Sequence, residues 1–252
     1  MKYKIILETI SEKYQHILGN NLIGIYVHGS IAFECFNPDK SDIDFLVVVK
    51  ESPSVKEKEE LIKTLLSLFS DGPKKGFEMS VVKYDVCKNF LYPTPFELHY
   101  STSHLEECKS DIENYCKSMN GFDKDLAAHF TVTKHVGHTL YGKPIQEVFG
   151  HIPKENYMDS IICDIENAKK DIMDNPVYII LNLCRMLAYK REELILSKKQ
   201  GGLWAVKNMD QRFLSLIQQV IYSYESDEDG YFDIELSKEF CDYALNCIFD
   251  RD

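Results

Sequence analysis

Residues 22–50 constrain this chain more than any other stretch. LIGIYVHG (22–29) and IDFLVVVK (43–50) are short, apolar and rich in β-branched residues, each of strand length. The loop between them carries Asn37-Pro38-Asp39-Lys40, a turn signal. The first run ends in Gly29-Ser30. Eleven residues separate Ser30 from Asp42, and Ser41-Asp42-Ile43-Asp44 opens the second run. The first run reads as a buried strand ending in glycine, the second as another strand.

Two residues apart on an extended chain, Asp42 and Asp44 point to the same face, about 6–7 Å apart at Cα. That geometry lets both hold hard divalent cations through oxygen. Glycine at position 29 lets backbone N–H groups approach a phosphate, Ser30 adds a hydroxyl, and a helix starting there favours negative charge. Two metal ions about 3.5–4 Å apart can clamp the attacking and leaving oxygens of an in-line displacement. In phosphoryl transfer, positioning and charge neutralisation do most of the catalytic work. An isolated Asp-x-Asp is common on protein surfaces. The compound of strand, Gly-Ser, loop and Ser-Asp-x-Asp opening a second strand points to a metal-bound triphosphate.

A third apolar run, FEMSVVKY (77–84), contains Glu78. A carboxylate buried there without a partner would be costly. Either Glu78 lies on an exposed face, or it stands beside Asp42 and Asp44. In the second case it takes a proton from an acceptor hydroxyl as general base or completes the metal shell.

The rest of the chain supplies the frame. Ile5, Ile6, Ile10, Tyr14, Ile17 and Leu18 recur at helical spacing over residues 4–18, and residues 54–69 have a helical pattern that Gly72-Pro73 breaks. Beyond Leu105 the strand signals fade, and residues 123–140, 157–173, 176–194, 210–224 and 233–249 read as helices. The expected fold class is α+β: a mixed sheet flanked by helices over residues 1–152, then an all-helical domain over residues 153–252. The run from Glu225 to Gly230 reads as an acidic loop between two helices.

Charge and composition narrow the partners. The net charge is −11, from 40 acids and 29 bases, with no basic stripe for a nucleic acid backbone. An acidic protein attracts cationic ligands. No apolar run approaches the roughly 18 residues of a membrane span. The N-terminal pattern, broken by Glu8, Glu12 and Lys13, is an amphipathic helix and not a secretion signal, so a cytoplasmic protein is expected. The eight cysteines form no Cys-x-x-Cys pair and are expected as reduced, mostly buried thiols, with Cys184 and Cys247 in the core. His129, His135 and His138 fall on one expected helix with no acid or cysteine apparent as a co-ligand, and His28 reads as a structural histidine ending the first strand.

Gly29-Ser30 with Asp42-x-Asp44 resembles the signature of the DNA polymerase β nucleotidyltransferase superfamily. Within it, the whole chain resembles the aminoglycoside adenylyltransferases that modify streptomycin and spectinomycin. Ser41–Val47 and Phe77–Val82 are similar to that family's metal-binding and base-bearing strands. Leu140–Pro144, Asn182–Arg185, Ser197-Lys198 and Trp204-Ala205 are similar to its later segments.

The resemblance implies an N-terminal nucleotidyltransferase domain, a C-terminal helical domain, and substrates held between them. It implies ATP as co-substrate and two Mg2+ ions on Asp42 and Asp44. Ser30 and Ser41, beside Gly29, would contact the triphosphate, Lys198 would reach the phosphates, and Glu78 would be the base on the drug hydroxyl. Streptomycin-accepting members carry a tryptophan where Leu187 stands, followed five residues on by an acid, here Glu192. The missing aromatic favours a spectinomycin-like acceptor, and with it antibiotic resistance.

Two other readings use the same residues. One is a nucleotidyltransferase acting on a protein or another small-molecule hydroxyl; an RNA end is disfavoured by the acidic surface. The other is a non-catalytic, antitoxin-like partner protein, disfavoured because Asp42, Asp44 and Glu78 are all present. A monomer is expected.

Overall fold

The structure, a computed structural model, describes residues 2–226 and 230–250. It divides into two compact units, Met1–Tyr157 and Met158–Asp252.

The first unit opens with helix α1 (Lys2–Leu18), strand β1 (Leu22–Val27) and the single-turn helix α2 (Gly29–Ala32). Then come β2 (Ile43–Val49), α3 (Val55–Leu68), β3 (Phe77–Lys83) and the short α4 (Tyr84–Lys88). Two short strands, β4 (Thr94–Phe96) and β5 (Leu98–Tyr100), lead to α5 (Leu105–Ser110) and α6 (Ile112–Ser118). The unit continues with β6 (Gly121–Asp123), α7 (Leu126–Val136), β7 (His138–Gly142) and α8 (Ile145–Val148). Its main sheet runs β5-β3-β2-β1-β7, and β4 pairs with β6 in a separate ribbon. Strands β2 and β3 are parallel and joined through α3, whereas β1 is antiparallel to both β2 and β7. The sheet is therefore mixed, as expected.

Alternation along the strands sorts side chains into two cores. Ile25, Val27, Ile43, Phe45, Val47, Phe77, Met79 and Val81 share one face with Ile10 and Tyr14 of α1, Leu61 and Leu65 of α3 and Tyr115 of α6. Tyr26, Leu46, Val48 and Val82 face the other way, against Leu126 and Phe130 of α7 and Phe149 beyond α8. Asp44 and Glu78 have the parity of this second face. They sit at the ends of β2 and β3 where the apolar layer stops.

Several elements differ from expectation. The helix expected over 123–140 ends at Val136, and His138 begins the edge strand β7. Ile5, read as part of the buried stripe of α1, is 66% exposed.

The second unit takes in the end of α9 (Lys154–Cys163), then α10 (Ala168–Asp171), α11 (Pro176–Glu192), α12 (Lys198–Asn208), α13 (Leu214–Glu225) and α14 (Ile234–Phe249). The single helix expected over 157–173 is thus two. Helix α11 is central and packs on α12, α13 and α14. It starts with Pro176 at its first turn, where the missing N–H removes nothing, and stops at Glu193 in the left-handed region. Helix α12 was not expected. A capping box of Ser197 and Gln200 starts it. Residues 227–229, most of the expected acidic loop, lie outside the described residues.

Among the described residues, no helix is long and apolar enough to cross a membrane. The cysteines are free thiols. Cys184 is buried as expected, but Cys247 is only partly buried and Cys163 is exposed.

Candidate active site

Parallel pairing of β2 with β3 sets Asp44 directly beside Glu78. Asp42 stands one residue before β2. One carboxylate oxygen from each of Asp42, Asp44 and Glu78 lies within 4.8 Å of the others. Three hard oxygen donors at this spacing, all half-buried, fit the demands of Mg2+, which prefers one or two carboxylates plus substrate phosphates. The cluster brings together the three residues singled out in the sequence.

The Gly-Ser turn adjoins the same carboxylates. The backbone N–H of His28 donates to the carbonyl of Asp44 at 3.0 Å, tying the end of β1 to the start of β2. Gly29 has φ +59°, and a Cβ there would lie 1.9 Å from Asp44 Oδ2. Only glycine fits both the backbone angle and the space. Ser30 Oγ is buried with no hydrogen-bond partner. An unpaired buried hydroxyl is costly, so a protein usually keeps one where a ligand completes it. Helix α2 is a single turn, which limits its dipole; its first backbone N–H groups still have no partner within the turn. Ser41 is buried, and its Oγ accepts from the N–H of Asn37 at 3.1 Å, closing the loop. That bond leaves the Ser41 proton available.

Two residues join the cluster that the sequence did not place there. Asp125, the N-cap of α7, and His129, one turn on, both face Glu78. His129 Nε2 is 3.3 Å from Asp125 Oδ2 and 3.6 Å from Glu78 Oε1. Burial alone would push the imidazole pKa down. Asp125 above all, then Glu78 and Asp44, outweigh it and bring it up to about 10. Burial raises the Glu78 carboxyl, and Asp125, Asp42 and Asp123 raise it further against the opposing pull of His129. His28 lies against His129, the tilted rings 4.7 Å apart at their centroids, and burial first, then that neighbour, pushes the His28 pKa well down. The spacing of Asp125 and His129, at i and i+4 beside the buried Leu126 and Phe130, was the available sequence signal.

The remaining expected residues lie in the helical unit. Lys198 sits over the Tyr178 ring, 4.6 Å from its centroid. Leu187 is fully buried within α11. Glu192 is exposed at the end of α11, where its Oε1 accepts from Trp204 Nε1 at 2.9 Å.

Comparison with known proteins bears on the family and the fold. Residues 4–96 match the family model of the nucleotidyltransferase domain, and residues 147–246 match that of the aminoglycoside adenylyltransferase C-terminal domain. The chain belongs to the aminoglycoside adenylyltransferase family of the nucleotidyltransferase superfamily. The adenylyltransferase-family chain is 26% identical over 239 residues to a spectinomycin 9-adenylyltransferase of Enterococcus faecalis, covering 93% of this chain and 90% of that one. A spectinomycin 9-adenylyltransferase of Campylobacter jejuni is 23% identical over 213 residues, covering 82% and 80%. The fold matches the crystal structure of an Enterococcus spectinomycin adenyltransferase with ATP and spectinomycin. The TM-score is 0.78 at 22% identity, covering 98% of this chain and 99% of that one.

Proposed function

We propose that this chain transfers the adenylyl group of ATP to a hydroxyl of a spectinomycin-like aminocyclitol, using Mg2+ held by Asp42 and Asp44. The observation that carries the reading is the gathering of Asp42, Asp44 and Glu78 within 4.8 Å beside the Gly29 turn. Its relatives' acceptor, named in two spectinomycin 9-adenylyltransferases, selects the substrate class.

Bound at these carboxylates, Mg2+ would neutralise phosphate charge and polarise the α-phosphoryl group. Asp42 and Asp44 would hold the cations at the start of β2. Gly29 admits the triphosphate to the backbone, and Ser30 and Ser41 donate to its oxygens. Glu78 accepts the acceptor's hydroxyl proton as that oxygen bonds to the α-phosphorus. The bond from the α-phosphorus to the bridging oxygen breaks, and pyrophosphate leaves. A carboxyl lifted by burial suits a general base working near neutral pH.

In the helical unit, Lys198 is assigned to the phosphates. Glu192 is assigned to a cationic group of the acceptor, with Leu187 acting through packing and not by contact. The enzyme is read as a cytoplasmic monomer.

Incubation with ATP, Mg2+ and a panel of aminocyclitols, read by mass spectrometry, tests the assignment. Spectinomycin should gain one adenylyl group and streptomycin none. If spectinomycin stays unmodified while ATP binds normally, the acceptor assignment is lost. If streptomycin is modified equally well, the role given to Leu187 and Glu192 is lost.

A further inference from the structure

His129 does not belong to the metal cluster or to the phosphate turn, yet it touches both. It comes from α7, on a different element from either. Its Nε2 stands between two carboxylates, Asp125 Oδ2 at 3.3 Å and Glu78 Oε1 at 3.6 Å, while its ring lies against His28, the residue before Gly29. Asp125 at the start of α7 and His129 one turn later are held rigidly by the same helix, whose neighbours Leu126 and Phe130 are fully buried. Glu78, by contrast, projects from the end of β3 at the limit of the apolar core. Its Oε1 lies 3.6 Å from His129 Nε2, an ion-pair distance beyond normal hydrogen-bond length. A flexible base loses rate steeply: misplacement by about 1 Å can cost roughly 10²-fold in turnover.

We propose that His129 is a positioning residue for the general base: oriented by Asp125, its Nε2 fixes the Glu78 carboxylate toward the acceptor hydroxyl. This rests on the reading of Glu78 as the base. Both carboxylates approach the one Nε2, Asp125 the nearer, so the imidazole bridges the helix start and the base. His129 need not touch the substrate or change its proton during the reaction. Its Nε2–H supplies direction, and α7 supplies rigidity.

The alternative is that His129 only packs beneath the phosphate turn through His28. The two roles separate in kinetics, because a packing role acts on ATP binding and a positioning role acts on the chemical step. The test uses the full chain with ATP, Mg2+ and spectinomycin, comparing His129→Leu, His129→Gln and Glu78→Gln with wild type. Leucine keeps the bulk and removes the nitrogen. The glutamine amide places a donor near the position of Nε2.

Positioning predicts that His129→Leu lowers kcat about 10²-fold with the KM for ATP unchanged, and that His129→Gln recovers most of the loss. If the KM for ATP rises in step with the fall in kcat, or the glutamine variant is as impaired as the leucine one, the proposal is overturned. It is equally overturned if His129→Leu turns over at the wild-type rate while Glu78→Gln is inactive. Wild-type turnover in Glu78→Gln would instead remove the base assignment on which it rests.

Discussion

Gly29 and Asp44 fit together so closely that a single methyl group on Gly29 would stand 1.9 Å from Asp44 Oδ2. The turn that admits a phosphate and the carboxylate that holds the cation are therefore one packed unit. Gly29→Ala tests this coupling. A non-glycine residue at φ +59° costs about 1–2 kcal/mol, and the added carbon must displace the Asp44 carboxylate. The expected outcome is a protein that folds, melts a few degrees lower, and has lost nearly all adenylyl transfer. Calorimetry with a turnover assay checks both halves. Normal turnover would show that Asp44 can move without consequence.

Ser30 should separate stability from binding. Its hydroxyl is buried and unpaired, a state that costs about 1–3 kcal/mol. Ser30→Ala should leave stability unchanged or raise it, yet weaken ATP binding by roughly tenfold, the loss of one hydrogen bond of about 1.4 kcal/mol. Thermal melts with and without MgATP would measure this. A variant that loses stability but binds ATP normally would mean that Ser30 is a structural residue.

Asp42 carries its assignment more simply. It sits before β2, outside the apolar core, so Asp42→Asn should leave the fold intact. With one of the two ligand carboxylates neutralised, turnover should fall by at least about 10³-fold, the several kcal/mol that metal charge stabilisation supplies. Circular dichroism and the adduct-mass assay would show it. Retained turnover at millimolar Mg2+ would remove Asp42 from the metal site.

For Glu78, the conservative change removes the proton acceptor while keeping the shape. Glu78→Gln should still bind ATP with Mg2+, and should transfer 10²- to 10⁴-fold more slowly, roughly the contribution of a general base. Loss of ATP binding along with turnover would instead make Glu78 a metal ligand.

Much of this site was legible in the sequence because its signals are local. Gly29, Ser30, Asp42 and Asp44 all lie within the connection from β1 to β2 and its ends, and Glu78 joins them through the pairing of two mainly apolar runs, β2 and β3. The parts that were missed depend on distant contacts. Strand β7 is an edge strand, exposed along most of its length, so it has no alternating pattern; pairing with β1 defines it. Helix α12 was hidden by Gly201-Gly202, which reads as a break. There the missing side chains let α12 approach α11: a Cβ on Gly201 would lie 2.9 Å from Arg185 N, and one on Gly202 would lie 2.9 Å from Leu181 Cδ2. The i, i+4 spacing of Asp125 and His129 pairs them with each other on α7, but that Glu78 is their neighbour depends on α7 packing on the sheet face.

The central claim is that Asp42 and Asp44 hold divalent cations against the triphosphate of ATP. The most direct measurement is anomalous diffraction from crystals grown with Mn2+ and a non-hydrolysable ATP analogue. The account predicts manganese peaks bonded to the Asp42 and Asp44 carboxylates and to phosphate oxygens, with Gly29 and Ser30 against the same phosphates. Nucleotide bound with manganese elsewhere, or with either aspartate turned away from it, would contradict it.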